Sequence, residues 1–224
     1  MTTVKLKLDK YQAKFKTGDV IAIRGHTRAM SSILSFLAAS EVTHAGVVWR
    51  KKDGTVHVIH TLIGRGLHDV PLKEFLAYGS LLTIVRPLRD PLSEEGSRRF
   101  DAWYKEMKGT PYETSVFRFV SSSDIIESIP FAPLFQREAD GSSMFCSEAV
   151  ADALKAVGLI SSDVDSERIE PKDFATENRF SGFMSTPFVL DYKSPNPIVS
   201  PFWPAFKWLM TSWMPLNPCC PRTK

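Results

Sequence analysis

Residues 43–49, Thr43-His44-Ala45-Gly46-Val47-Val48-Trp49, lead into Arg50-Lys51-Lys52-Asp53-Gly54 and then Thr55-Val56-His57-Val58-Ile59-His60-Thr61-Leu62. Two runs rich in β-branched and aromatic residues flank a polar turn that ends on Asp-Gly, which predicts a β-hairpin. Upstream, Thr17-Gly18-Asp19 reads as a turn and Val20–Ile23 as a short buried strand that Gly25 ends. Met30, Ile33, Leu34, Leu37 and Ala38 come next at i, i+3, i+4, i+7 and i+8, the stripe of an amphipathic helix over Met30–Ala39. Downstream, Pro71–Tyr78 reads as a short helix and Leu81–Arg86 as a strand. Ser93 caps a helix running to about Met107, with Glu94 and Glu95 in its first turn, and Gly109-Thr110-Pro111 stops it. The pattern weakens over 113–143, where Pro130 and Pro133 interrupt mixed residues, so this stretch reads as an excursion or lid. Val150, Ala153, Leu154 and Val157 restore the helical period, and Gly158 closes it. The order predicts an α+β fold, an antiparallel sheet packed against helices.

Composition bounds the function. At 224 residues with 43% hydrophobic and 24% charged residues, the chain can bury a core without disulfides. Its net charge of +3 is too small to point to nucleic acid, and three cysteines do not make a disulfide scaffold. The start, MTTVKLKLDK, has no apolar run, so no secretory signal is expected and an intracellular, cytoplasmic setting is the default. Seven prolines and three tryptophans fall between Pro195 and Pro221, with no acidic residue after Asp191. The expected organisation is a domain over 1–192 and a Pro/Trp-rich tail or strap over 193–224.

Cys146 sits just before the Val150–Val157 stripe, in the first turn of the predicted helix. Backbone N–H groups and the helix dipole there favour a thiolate, although a lone cysteine is equally a small buried core residue. His44 opens a strand with small residues behind it, leaving room for a ring and a substrate, as a general base needs; a structural histidine fits the same position. His57 and His60 differ by three positions on one strand and so face opposite sides. Only one of them can share a site with His44, where a polar side chain on the adjacent strand could fix the tautomer of the base, and His57 is expected to be exposed. His26 and His68, near predicted turns, are expected to be solvated. No Cys-x-x-Cys, His-x-x-x-His or His-Glu-x-x-His spacing occurs, so no metal is expected. Gly64-Arg65-Gly66 reads as a turn and not a phosphate loop, and no cofactor is expected.

Taken in order, Thr17-Gly-Asp-Val-Ile, the helix over Met30–Ala39, Thr43-His44-Ala-Gly-Val, Val58-Ile-His60-Thr, Gly109-Thr-Pro-Tyr112 and Phe145-Cys146-Ser-Glu148 resemble the circularly permuted NlpC-type papain-like thiol hydrolases. This branch includes YiiX-like proteins, a poxviral relative and lecithin–retinol acyltransferase-like enzymes. The resemblance covers roughly 17–180. It implies a papain-like fold with the nucleophile at a helix N-terminus and the base histidine earlier in sequence. By it, Cys146 matches the nucleophile, His44 the base and His60 the third polar residue, while Tyr112 lines the pocket. Many YiiX-like members carry Glu where this chain has His60. Here the chain agrees with the acyltransferase-like branch, which leaves the substrate class open.

The chemistry this implies is acyl transfer through a thioester, with an oxyanion met by N–H groups at the start of the Cys146 helix. Three classes remain: a thiol amidase or peptidase on an amide or isopeptide bond, a lipid-directed acyl hydrolase or acyltransferase, and a non-catalytic binding protein. The expected partner is accordingly a peptide, amide or lipid acyl substrate. The tail is too short and broken to span a membrane. Trp203, Trp208 and Trp213 with nearby Lys, and Cys219-Cys220 as acylation sites, suit peripheral membrane contact through 198–220. A strap over the domain's own surface is the alternative.

Overall fold

Hydrophobic alternation and tight turns produce the predicted hairpin at the centre of a larger sheet. The computed structural model describes residues 5–24, 42–62, 64–78, 82–112, 143–176 and 179–192. The helix over Met30–Ala39, His26, the 113–142 part of the excursion and the tail from 193 lie outside the described residues. The strands are β1 (Lys5–Lys7), β2 (Val20–Arg24), β3 (His44–Arg50), β4 (Val56–Leu62), β5 (Gly66–Pro71), β6 (Leu82–Arg86) and β7 (Phe188–Asp191). They form one sheet in the order β1-β7-β6-β2-β3-β4-β5. Helices α1 (Leu8–Tyr11), α2 (Leu72–Tyr78), α3 (Glu94–Met107), α4 (Cys146–Ala156) and α5 (Pro171–Ala175) accompany it.

The protein is α+β, but the sheet is mixed and not wholly antiparallel: β1 pairs β7 in parallel, Lys5 opposite Val189. The β3–β4 turn closes through Lys51 N–H to the Thr55 carbonyl and Gly54 N–H to the Lys51 carbonyl, both 2.9 Å. Gly54 supplies the positive φ of 85° that this turn requires. β5 was not expected. Pairing with β4 extends the hairpin into a third strand and turns Leu67-His68-Asp69-Val70 into a ladder in which His60 lies opposite His68 and Ile59 opposite Asp69.

Two apolar layers sandwich the sheet. One holds Ala45, Val47, Ile59 and Leu67 against Phe100, Trp103 and Tyr104 of α3 and Ala149, Val150, Ala153 and Leu154 of α4. The other holds Ile21, Ile23, Val48, Val58 and Val70 against Leu72, Phe75 and Leu76 of α2. Ser93 Oγ accepts from Gly96 N–H at 3.0 Å and starts α3. α4 ends in the hydrogen-bond pair Leu159 N–H to Leu154 and Gly158 N–H to Lys155, the Schellman arrangement that a positive-φ glycine permits.

Asp69 locks β5 to α3. Its carboxylate accepts from Lys51 Nζ at 2.9 Å, His57 Nδ1 at 2.7 Å and Tyr104 OH at 2.5 Å. His57 is therefore not the exposed side chain expected, because β5 delivers a carboxylate to it. Burial alone would raise the Asp69 pKa, yet the donors from Tyr104, Lys51 and His57 outweigh it and hold the group below the usual carboxylate range. A depressed pKa contributes stability above the unfolded value near 3.9 that is lost as pH falls through the folded value. Asp69→Asn is expected to lower unfolding free energy by about 1–3 kcal/mol at pH 7, and by less at pH 3, as read by urea denaturation at both.

Candidate functional site

The first residue of β3 and the fifth residue of β4 bring two imidazoles together. His44 Nε2 lies 3.0 Å from His60 Nδ1, and the rings meet edge to face at 5.2 Å between centroids. Both project from the α2 side of the sheet with Val48, Val58 and Phe75, as strand alternation dictates. The expected open space behind His44 is filled. A Cβ at Gly46 would lie 2.5 Å from Val58 and 3.0 Å from Phe75, and the Phe75 ring packs 5.8 Å from His44 and 5.0 Å from His60. Glycine serves there to admit Phe75, not a substrate. Burial disfavours the charged imidazole and lowers the His44 pKa to about 4, with His68 adding a smaller repulsion. His60, fully buried, is driven well below its ordinary value by burial and then by His44, His68 and Arg65. Both histidines are neutral at physiological pH.

Cys146 is the first residue of α4 and is 5% exposed. Glu148 reaches back to accept the Phe145 N–H at 3.0 Å. The thiol is met by the backbone N–H groups of Ala45, Ser147 and Cys146 itself. These donors favour a thiolate, as the helix position suggests, but burial is larger and pushes the thiol up to about 11. The expectation of a lowered pKa is thereby reversed. α4 packs on the sheet face opposite α2, so Cys146 meets the backbone of Ala45 and makes no hydrogen bond to the His44 ring among the described residues. The structure joins His44 to His60, whereas Cys146 meets β3 from the opposite face, at the backbone of Ala45, and is not brought into hydrogen-bond contact with the His44 ring.

A run of backbone bonds connects the histidine strands to this cysteine. Leu67 N–H donates to the Thr110 carbonyl and Gly109 N–H to the Leu67 carbonyl, both at 2.8 Å. Met144 N–H then donates to the Pro111 carbonyl at 3.0 Å, and Tyr112 bridges Met144 in parallel. Tyr112 also packs edge-on to Phe145 at 6.4 Å, next to the start of α4. Gly66 is more than part of a turn: it opens β5 at φ 66°, and a Cβ there would collide with the Thr110 carbonyl oxygen.

His68 is not solvated at a turn. It lies on β5 with its ring 4.6 Å from His60, and its Nδ1 bonds the Gly66 carbonyl at 2.8 Å. The signal that could have exposed it is Gly64-Arg65 between an apolar strand and Leu67, a second tight hairpin. Asp69 was missed with the same strand. Among the described residues no group of three or more His, Cys, Asp or Glu is arranged to hold a metal ion, and no helix is long and apolar enough to cross a membrane.

No family model matches the chain, and comparison with curated proteins gives no match. Among solved structures, the chain is similar to one described as the metalloprotein yiiX from Escherichia coli O157:H7, at 19% identity and a TM-score of 0.48, over 81% of this chain and 90% of the other.

The Gly66–Thr110 contact gives a direct test. Gly64 also has a positive φ, 78°, but open space around its Cβ position. Gly64→Ala should cost only backbone strain, about 1 kcal/mol, and Gly66→Ala clearly more, since strain and a backbone collision combine. Equal urea midpoints for the two variants would contradict the junction.

Proposed function

We propose that this chain is a cysteine-dependent acyl hydrolase of the permuted papain-like kind, cleaving an amide or isopeptide bond through a thioester. In this reading Cys146 is the nucleophile, His44 the base and His60 the residue that orients it, with Tyr112 beside the substrate. The supporting observation is the hydrogen-bonded His44–His60 pair, held one residue from the Ala45 N–H that meets the Cys146 thiol. The His60 bond occupies Nε2 of His44. When Nε2–H donates to His60 Nδ1, Nδ1 of His44 carries the lone pair that can take a proton.

The electrostatics favour one form of the mechanism. Burial holds the thiol protonated and the imidazole neutral, so a preformed thiolate–imidazolium pair is disfavoured in the resting site. The proton therefore leaves the thiol as sulfur attacks the carbonyl, with His44 acting as general base. The Sγ–C bond forms while the S–H bond breaks and the carbonyl pair moves to oxygen, for which the N–H groups at the start of α4 are the proposed donors. Protonated His44 then returns the proton to the leaving amine. The resulting thioester is hydrolysed by water that His44 deprotonates.

Histidine at the third position favours a second reading, lipid-directed acyl hydrolysis or transfer, with peripheral membrane contact through 198–220. An acyl-directed activity probe tests both against a binding protein that merely keeps the fold. Labelling is expected at Cys146, to be lost in Cys146→Ala, and to fall by about 100-fold or more in His44→Ala. Its acid limb is expected near pH 4, the value that burial sets for His44, not near 6.5. Vesicle binding abolished by deleting 193–224 would select the lipid reading. No labelling at Cys146 under any of these conditions would favour the binding protein.

A further inference from the structure

The histidine pair has a third member. His68 stands directly across the β4–β5 ladder from His60, with ring centroids 4.6 Å apart and planes tilted by 43°. Its Nδ1 lies 2.8 Å from the Gly66 carbonyl. A carbonyl oxygen only accepts, so Nδ1 carries the proton and Nε2 of the neutral ring is left as an acceptor. That Nε2 is buried without a partner, and so is Nε2 of His60. His60 is itself fully buried. Each orphaned nitrogen destabilises the fold while it stays unpaired.

The requirements of the two nitrogens are complementary. For His44 to offer a lone pair at Nδ1, His60 must accept at Nδ1 and therefore carry its proton at Nε2. That Nε2–H needs an acceptor, and directly across the ladder the ring of His68 carries a buried, unpaired Nε2. We propose that His68 is a positioning residue: anchored by the Gly66 carbonyl, its Nε2 takes the Nε2–H of His60 through one bridging water, and so holds the His60–His44 pair in the tautomer in which His44 is a base. The consequence for catalysis rests on the reading of His44 as base; the tautomer assignment does not. Gly66 thereby gains a second role, since the residue that admits the Thr110 carbonyl also fixes the His68 ring.

The other groups facing this trio are Arg65 at the start of β5 and, from α2, Phe75, Tyr78 and the nearby Glu74. None of them presents an acceptor bonded to His60 among the described residues. Tyr78 meets His60 through ring contact alone, at 5.8 Å between centroids.

The test is nitrogen-15 NMR of the histidine imidazoles in the full-length chain, read alongside Cys146 probe labelling. In the wild type, His60 is expected as the Nε2–H tautomer and His68 as Nδ1–H. In His68→Phe, His60 should become a tautomer mixture, with labelling down about tenfold. In His68→Gln, whose side-chain carbonyl can replace the Nε2 acceptor, both should recover. Wild-type His60 protonated at Nδ1 would overturn the proposal without any variant, so a misfolded His68→Phe does not shelter it. So would an unchanged His60 tautomer in a folded His68→Phe. Stoichiometric zinc shifting both Nε2 resonances would also overturn it, by assigning the pair to a metal. If Cys146 never labels while the tautomers behave as expected, the hydrolase reading fails and the His68 assignment stands.

Discussion

A pair of 2.8 Å backbone hydrogen bonds, Leu67 N–H to Thr110 and Gly109 N–H to Leu67, is the constraint on which the candidate site depends. β5 would otherwise be an open sheet edge. Covering it with residues 109–110 anchors Pro111, whose carbonyl takes Met144 N–H two residues before α4 begins. The strand that carries His68 and the helix that starts at Cys146 are thus referred to one another through main-chain bonds, which tolerate little slack. Only a residue without a Cβ can sit at the crossing, and Gly66 does.

Burial is the dominant electrostatic influence at the centre of the molecule, and it acts in opposite senses on acid and base. It holds the Cys146 thiol protonated and the His44 and His60 rings neutral. The helix N-terminus and the Ala45 N–H oppose this without overcoming it. Few full charges are therefore desolvated in the resting state. The carboxylate on β5 works differently. Asp69 is ionised there and held by donors from three elements, a structural use of charge where α3 meets the hairpin.

The sequence made much of this legible where periodicity is strong. β2, β3, β4, β6 and α2, α3, α4 are read from alternation, from the 3.6 period, and from Ser93 and Gly158 as caps. The elements that escaped are those made by tertiary pairing. β5 contains Gly, His, Asp and Pro, poor strand formers that β4 nonetheless recruits. β1 is three largely exposed residues in a basic stretch, and β7 is four. Missing β5 misplaced His57 and His68 together, since both find their neighbours only once that strand exists. A period of two put His57 and His60 on opposite faces, and the family resemblance chose His60 for the His44 side, whereas the thiol's ionisation depends on burial, which helix position does not encode.

The protonation state of Cys146 tests the account most directly. Site-resolved alkylation of the folded protein by iodoacetamide across pH, read by mass spectrometry, should give an apparent pKa near 11 for Cys146. It should also show little reaction at pH 7. An apparent value well below the ordinary thiol range of about 8.5, raised by His44→Ala, would mean a preformed thiolate–imidazolium pair and would contradict a neutral, burial-dominated site.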